Sequence, residues 1–147
     1  MIYLDSSYLT KLYIREPGSE EVERWLGEQS EQVVCCLHGR LEVIAAFKRQ
    51  QREKRLTEAD VRASVRRLAA EEKSGAMQWL PVDAMLIASA CDTMQRLAPT
   101  VFLRAADALH LACAADAGLK SVFSHDRHLL AAAPHFGLRG IDIISSP

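Results

Sequence analysis

L-R-A-A-D-A-L-H-L-A-C-A-A-D-A-G, residues 103–118, reads as one tightly packed helix. Small alanines alternate with Leu109, Leu111 and Cys113, and Gly118 supplies the stop. Alanine lets backbones approach, so another element is expected close against this helix. Asp107 falls in the first turn, where the helix dipole favours a carboxylate. A lone acid in so apolar a stretch is either a helix-end charge or a functional group. Which of the two depends on whether other acids converge on it.

Working outward, apolar runs of strand length alternate with amphipathic helices. Asp83 caps a helix with Leu86, Ile87, Ala90, Met94 and Leu97 facing inward, and Pro99-Thr100 breaks the chain before the Asp107 helix. After it, Ser121–Ser124 is a strand ended by His125-Asp126-Arg127, with Leu129 and Leu130 on a short helix. Gly137–Gly140 then turns into a last strand, Ile141–Ile144. At the other end of the chain, Ile2–Leu4 is a buried strand ending at Asp5. Ser6 or Ser7 caps the helix that follows, which carries Leu9, Leu12 and Tyr13. Pro17-Gly18 stops it, and Ser19 caps a helix bearing Val22, Trp25 and Leu26.

Gln32–Leu37 is the second buried strand, and a helix from about Gly39 carries Leu41, Ile44, Ala45 and Phe47, with Glu42 near its start. Thr57-Glu58-Ala59-Asp60 resembles a capping box opening a helix striped with Val61, Val65, Leu68 and Ala69. Gln78–Val82 is a third strand, confined to a sheet edge by Pro81. The alternation predicts a three-layer α/β/α sandwich with a mainly parallel sheet of four to five strands.

Composition fits that class. The chain has 147 residues, 49% apolar and 25% charged, with a net charge of −1. Length and the lack of a linker predict a single domain over residues 1–147. No membrane-length apolar run and no signal-peptide pattern occur, so a cytoplasmic protein is expected. Without a C-x-x-C pair, Cys35, Cys36, Cys91 and Cys113 read as buried reduced thiols; His38 beside Cys35 and Cys36 is only a weak metal hint. Bases concentrate between Lys48 and Arg67 (Arg49, Arg52, Arg55, Arg62 and Arg66 among them). Such an arm suits a polyanionic partner or is simply a solvated helical face.

In parallel sheets, ligands bind beyond the carboxyl ends of the strands. Asp5 and Asp126 each follow a strand, Glu42 lies early in the helix after the second strand, and Asp107 opens the helix leading to the fourth. All four acids are thus directed to one edge. Singly, each has a structural explanation as an N-cap, a first-turn acid or a solvated residue. Together they repel one another, and a hard divalent cation such as Mg²⁺ or Mn²⁺ relieves that repulsion.

The same residues carry a family resemblance. L-D-S-S-Y-L-T-K-L-Y-I-R-E-P-G-S (4–19) resembles the first motif of the PIN domain family. L-E-V-I-A-A-F (41–47), R-A-A-D-A-L-H-L-A-C-A-A (104–115) and V-F-S-H-D-R-H-L (122–129) match the second to fourth acidic motifs, in order and across essentially the whole chain. The compact length is similar to that of VapC-like toxins of toxin–antitoxin modules. The resemblance implies a Mg²⁺- or Mn²⁺-dependent endoribonuclease with Asp5, Glu42, Asp107 and Asp126 as catalytic and metal-binding residues, supported by Ser6 and Ser124. Departures are His38 near the second motif, where relatives have Ser or Thr, and His125 in S-H-D, where T-x-D is commoner. It further implies an RNA substrate, an antitoxin partner and a homodimer, with Leu9, Tyr13 and the Leu86–Met94 face as the expected subunit contact. Arg40, Arg104 and Arg127 are the phosphate contacts suggested by proximity in sequence, the alternative being salt bridges that hold the acids. Two other classes compete: a non-catalytic PIN-like interaction module, and an aspartyl-nucleophile phosphatase, whose D-x-D pattern Asp5-Ser6-Ser7 does not meet.

Overall fold

Backbone N–H and C=O groups cannot be buried unpaired, and in this chain the short apolar runs pair side by side in parallel. The computed structural model describes residues 1–144. The strands are β1 (Ile2–Tyr3), β2 (Val33–Cys36), β3 (Met77–Leu80), β4 (Ser121–Phe123) and β5 (Arg139–Ile141). The helices are α1 (Ser6–Tyr13), α2 (Ser19–Gly27), α3 (Leu37–Arg52), α4 (Glu58–Ser74), α5 (Ala84–Arg96), α6 (Ala105–Asp116) and α7 (Arg127–Ala132), the last running into a 3-10 turn at Ala133–Phe136.

β2 lies between β1 and β3, with Ile2 opposite Val33 and Val33 opposite Met77. β4 pairs with β5 in parallel, and a parallel bridge between Leu4 and Phe123 joins this pair to β1. The resulting sequence of strands is β3-β2-β1-β4-β5, and the fold is the expected α/β/α arrangement. Parallel pairing requires a crossover between partners, so the carboxyl ends of all five strands face one edge. α6 packs on β2 and β4 and against α5, while α1 packs against α2 and α3. The alanines of α6 give the close approach expected of them: Ala108, Leu111, Ala112, Cys113 and Ala114 are all buried. No helix among the described residues is long and apolar enough to cross a membrane.

Several local expectations change. Asp5, rather than Ser6 or Ser7, caps α1, accepting from the Tyr8 amide at 3.0 Å. The ladder ends on that same residue, since the Asp5 amide donates to Phe123 O at 3.0 Å, and Ser6 is already helical. Gly18, left-handed at φ 88°, caps α2 in place of Ser19, whose hydroxyl ties the preceding turn by donating to Ile14 O. α3 starts at Leu37, not Gly39, and it buries Val43 and Phe47 while Leu41 faces solvent. β3 stops at Leu80, before Pro81, and β5 ends at Ile141 rather than running to Ile144. α5 buries only a narrow stripe, Leu86 and Ala90, so Ile87 and Cys91 face solvent instead of the core. The Thr57–Asp60 capping box and the Asp83 cap form as read.

Gly39 marks the tightest of these contacts. A Cβ there would stand 2.5 Å from Cys35 Sγ and 3.0 Å from His110 Cε1, whereas Gly27, at the end of α2, has open space around it. Gly39→Ala is expected to lose about 1–3 kcal/mol through overpacking, and Gly27→Ala to gain about 0.4–1 kcal/mol through the unfolded chain. Thermal unfolding of the two variants against the parent chain checks both signs.

Candidate active site: an acidic cleft at the strand ends

Asp5 emerges at the end of β1 with only 4% of its surface exposed. A carboxylate in that position needs hydrogen-bond donors. Oδ1 accepts from the Tyr8 amide at 3.0 Å and the Ser7 hydroxyl at 2.7 Å, and Oδ2 from the Ser124 hydroxyl at 2.6 Å. Burial pushes the Asp5 carboxyl above its ordinary pKa, and the field of His110 and these hydrogen bonds recover only part of the rise. Ser124 in turn accepts the Asp126 amide at 2.9 Å, tying the ends of β1 and β4 to the start of α7.

Asp126 serves as the N-cap of α7. Its Oδ1 accepts from the amides of His128 (2.8 Å) and Leu129 (3.2 Å), and its Oδ2 accepts from the Arg104 guanidinium. Arg104 also engages both oxygens of Asp107, at 2.8 and 3.4 Å, from one turn earlier at the head of α6. One guanidinium therefore bridges two of the acids expected at the site. Glu42 approaches from α3. Its Oε2 meets His110 Nε2 at 2.8 Å, and its Oε1 lies 3.5 Å from His38 Nε2. Burial raises the Glu42 pKa, but the hydrogen bond and charge of His110, with help from Ser6, outweigh it and bring the carboxyl down to about 2.

Three of the four acids belong to one run of polar contacts, and Glu42 stands beside it. Asp5 reaches Asp126 through Ser124, Asp126 reaches Asp107 through Arg104, and Glu42 meets His110, one turn beyond Asp107 on α6. Ser124 belongs to that run, whereas Ser6 bears on Glu42, helping to lower its carboxyl. Arg104 occupies the cleft as an ion-pair partner, the structural alternative left open for it. Arg40 and Arg127 do not join: Arg40 pairs with Glu72 at 2.9 Å, and Arg127 turns to His128 at 3.4 Å. Proximity in sequence to an acid does not reveal those partners.

A family model for the PIN domain matches residues 2–134. The chain belongs to the PIN domain family. Comparison with curated proteins found no match. Among solved structures, the PIN fold is shared with Mycobacterium tuberculosis VapC20, described as a toxin that cleaves the sarcin–ricin loop. That pair has a TM-score of 0.68 and 19% identity over 90% of this chain and 95% of the other. FitAcB from Neisseria gonorrhoeae is similar at TM-score 0.67, 18% identity and coverage of 95% and 96%. A FitAB complex bound to an IR36 DNA fragment matches at TM-score 0.62 and 15% identity, covering all of this chain and 98% of that one.

Two residues of this PIN domain's cleft escaped the sequence reading. His110 sits three residues after Asp107, hence on the same helix face, and that spacing was the available signal. Its Nδ1 lies 3.0 Å from the Tyr3 hydroxyl, which also accepts the Cys36 amide at 3.1 Å. Burial works against charge on the His110 ring, but Cys36 and Glu42 outweigh it and push its pKa up to about 10, so Nε2 donates to Glu42. Cys35, Cys36 and His110 also place one donor atom each within 4.8 Å of one another, all buried; no other such set occurs among the described residues. Asp142 follows β5 as Asp5 follows β1, and meets the Tyr8 hydroxyl and, at 2.9 Å, His125 Nδ1.

The raised pKa of Asp5 gives a pH test. Its native value lies above the unfolded one, so its contribution to stability is fully present at acid pH and is lost as pH rises through the native value. Asn does not ionise. In metal-free buffer, Asp5→Asn is expected to unfold no later than the parent at acid pH and progressively later than it as pH climbs. The gain is about 1.4 kcal/mol for each pH unit by which the native pKa exceeds the unfolded one. Parallel melting-temperature profiles that never diverge would contradict burial as the cause of the raised pKa.

Proposed function

We propose that the chain is a metal-dependent endoribonuclease and the toxin of a toxin–antitoxin module, its whole length acting as one nuclease domain. The observation that supports this reading is the run of contacts Asp5–Ser124–Asp126–Arg104–Asp107 at one sheet edge, with Glu42 held beside it by His110. The donor set is all carboxylate and hydroxyl oxygen, which suits a hard ion, Mg²⁺ or Mn²⁺. Asp5 and Asp107 would hold the ion, with Glu42 and Asp126 completing its surroundings. Such an ion, when bound, lowers the pKa of its water to supply hydroxide near neutral pH and offsets charge on the phosphate.

The residues of the chain do the rest. Ser124 aims one oxygen of Asp5 and fixes the start of α7. His110 keeps Glu42 ionised and pointed into the cleft. Arg104 holds Asp107 and Asp126 against their mutual repulsion and is the cation best placed to meet an incoming phosphate. The toxin description of VapC20 and the DNA-bound FitAB assembly support an antitoxin partner for this chain.

We further propose a cytoplasmic homodimer. Met85, 78% exposed, and Ile87 on α5 offer an apolar subunit contact. Leu9 is wholly buried, and Tyr13 packs on Phe47 while bonding Glu71, so the α1 part of the expected contact is withdrawn.

Asp5→Asn and Asp107→Asn are each expected to abolish cleavage of a synthetic RNA while the chain stays folded, and EDTA to abolish it reversibly on adding Mn²⁺. Cleavage at near-parental rate by either variant would overturn the assignment. His110→Leu, which removes the donor to Glu42, is expected to weaken Mn²⁺ binding in calorimetry by about tenfold or more. His110→Gln, which keeps a donor, should lose much less.

A further inference from the structure

Beside the acids, α1 and α3 leave a cleft of about 480 Å³ lined by Ser6, Ser7, Thr10, Glu16, Glu42, Ala45, Ala46, Arg49 and Arg52. It begins at the carboxylate of Glu42 and continues along one face of α3. Glu42, Ala45, Ala46, Arg49 and Arg52 recur at helical spacing, which sets Arg49 about 10 Å and Arg52 about 15 Å along the axis from Glu42. The two alanines keep that face low, and the opposite wall is hydroxyl-rich.

The charge of the cleft changes along its length. Glu16 is offset by Lys11 Nζ at 2.9 Å. Arg49 and Arg52 are exposed, and among the described residues neither guanidinium has an ion-pair or hydrogen-bond partner. Most of the neighbouring arginines are occupied: Arg40 by Glu72, Arg55 by Glu53, Arg62 by Glu58, Arg67 by Glu71 and Arg104 by Asp107 and Asp126. No aromatic or large aliphatic side chain lines the cleft, so it lacks the apolar anchor that seats a protein segment.

We propose that this cleft is a binding subsite for a single-stranded RNA backbone, in which Arg49 and Arg52 hold phosphates next to the one at the acids. The subsite rests on the nuclease reading and adds a direction to it: the strand leaves the acids along α3 toward the end of that helix. Arg49 and Arg52 take the phosphate-contact role that Arg40 and Arg127, turned elsewhere, do not fill. The contacts are to backbone charge, so they give affinity and placement without reading base sequence.

The test is fluorescence anisotropy of a short labelled single-stranded RNA bound to the full chain carrying Asp107→Asn, which keeps the strand intact. Binding is measured over a series of salt concentrations with and without Arg49→Gln and Arg52→Gln. The double variant is expected to bind about tenfold or more weakly at low salt, with the slope of log K against log salt flatter by about 1.4, or about 0.7 per lost phosphate contact. Arg49→Lys with Arg52→Lys should restore most of the slope. An unchanged slope overturns the proposal, whether or not affinity falls, since a fold defect weakens binding without removing counterion release. Retained RNA affinity with lost affinity for an acidic peptide would assign the cleft to a protein partner instead, and also overturns it. If the unmodified chain proves unable to cleave RNA yet the slope responds as stated, the nuclease reading fails and the subsite stands.

Discussion

A carboxylate removed from water must be bonded, and Asp5 satisfies that demand by pulling three parts of the chain together. Its oxygens take the Tyr8 amide and Ser7 hydroxyl of α1 and the Ser124 hydroxyl that follows β4. The first of these bonds starts a helix; the last crosses the weakest seam of the sheet. There the β1–β2–β3 and β4–β5 groups meet through one isolated bridge, Leu4 to Phe123, backed by the Asp5 amide on Phe123 O. The side chain proposed to grip a cation is therefore also the one that closes the sheet. Burial raises its pKa as the consequence.

The remaining acids are handled differently, and the differences order the cleft. Asp126 is lowered: burial works against it, but two helix amides and Arg104 prevail. Glu42 is lowered further because His110 reaches it from the core, backed by Tyr3 and Cys36. Environments that push neighbouring carboxyls apart in pKa leave a site with unlike acids rather than a uniform patch of charge. The chain's own cations, Arg104 and His110, bear much of the charge balance.

Much of this was legible in one dimension. Parallel alternation told that Asp5, Glu42, Asp107 and Asp126 share an edge, because strand-to-helix connectivity sends every carboxyl end the same way. The capping box at Thr57 and the close packing around the α6 alanines were equally readable, being local. Long-range side-chain choices were not. Arg104 joins Asp126 across 22 residues, His110 joins Glu42 across 68, and Arg40 turns to Glu72 across 32. Periodicity assigns a residue to a face of its element, but not the partner it meets there. The inward assignment of Ile87 failed for a related reason: apolar spacing does not say how wide a stripe the neighbouring helix covers.

The cut ends of the RNA reveal which oxygen attacked phosphorus. If Asp5 and Asp107 hold a cation as proposed, its bound water would be the nucleophile at phosphorus and the 3′ oxygen the leaving group. End-group analysis of RNA cleaved by the purified chain with Mn²⁺ should therefore show 5′-phosphate and 3′-hydroxyl termini. Termini bearing a 2′,3′-cyclic phosphate and a 5′-hydroxyl would mean that the RNA's own 2′-hydroxyl is the nucleophile, and the account of these four acids would be wrong.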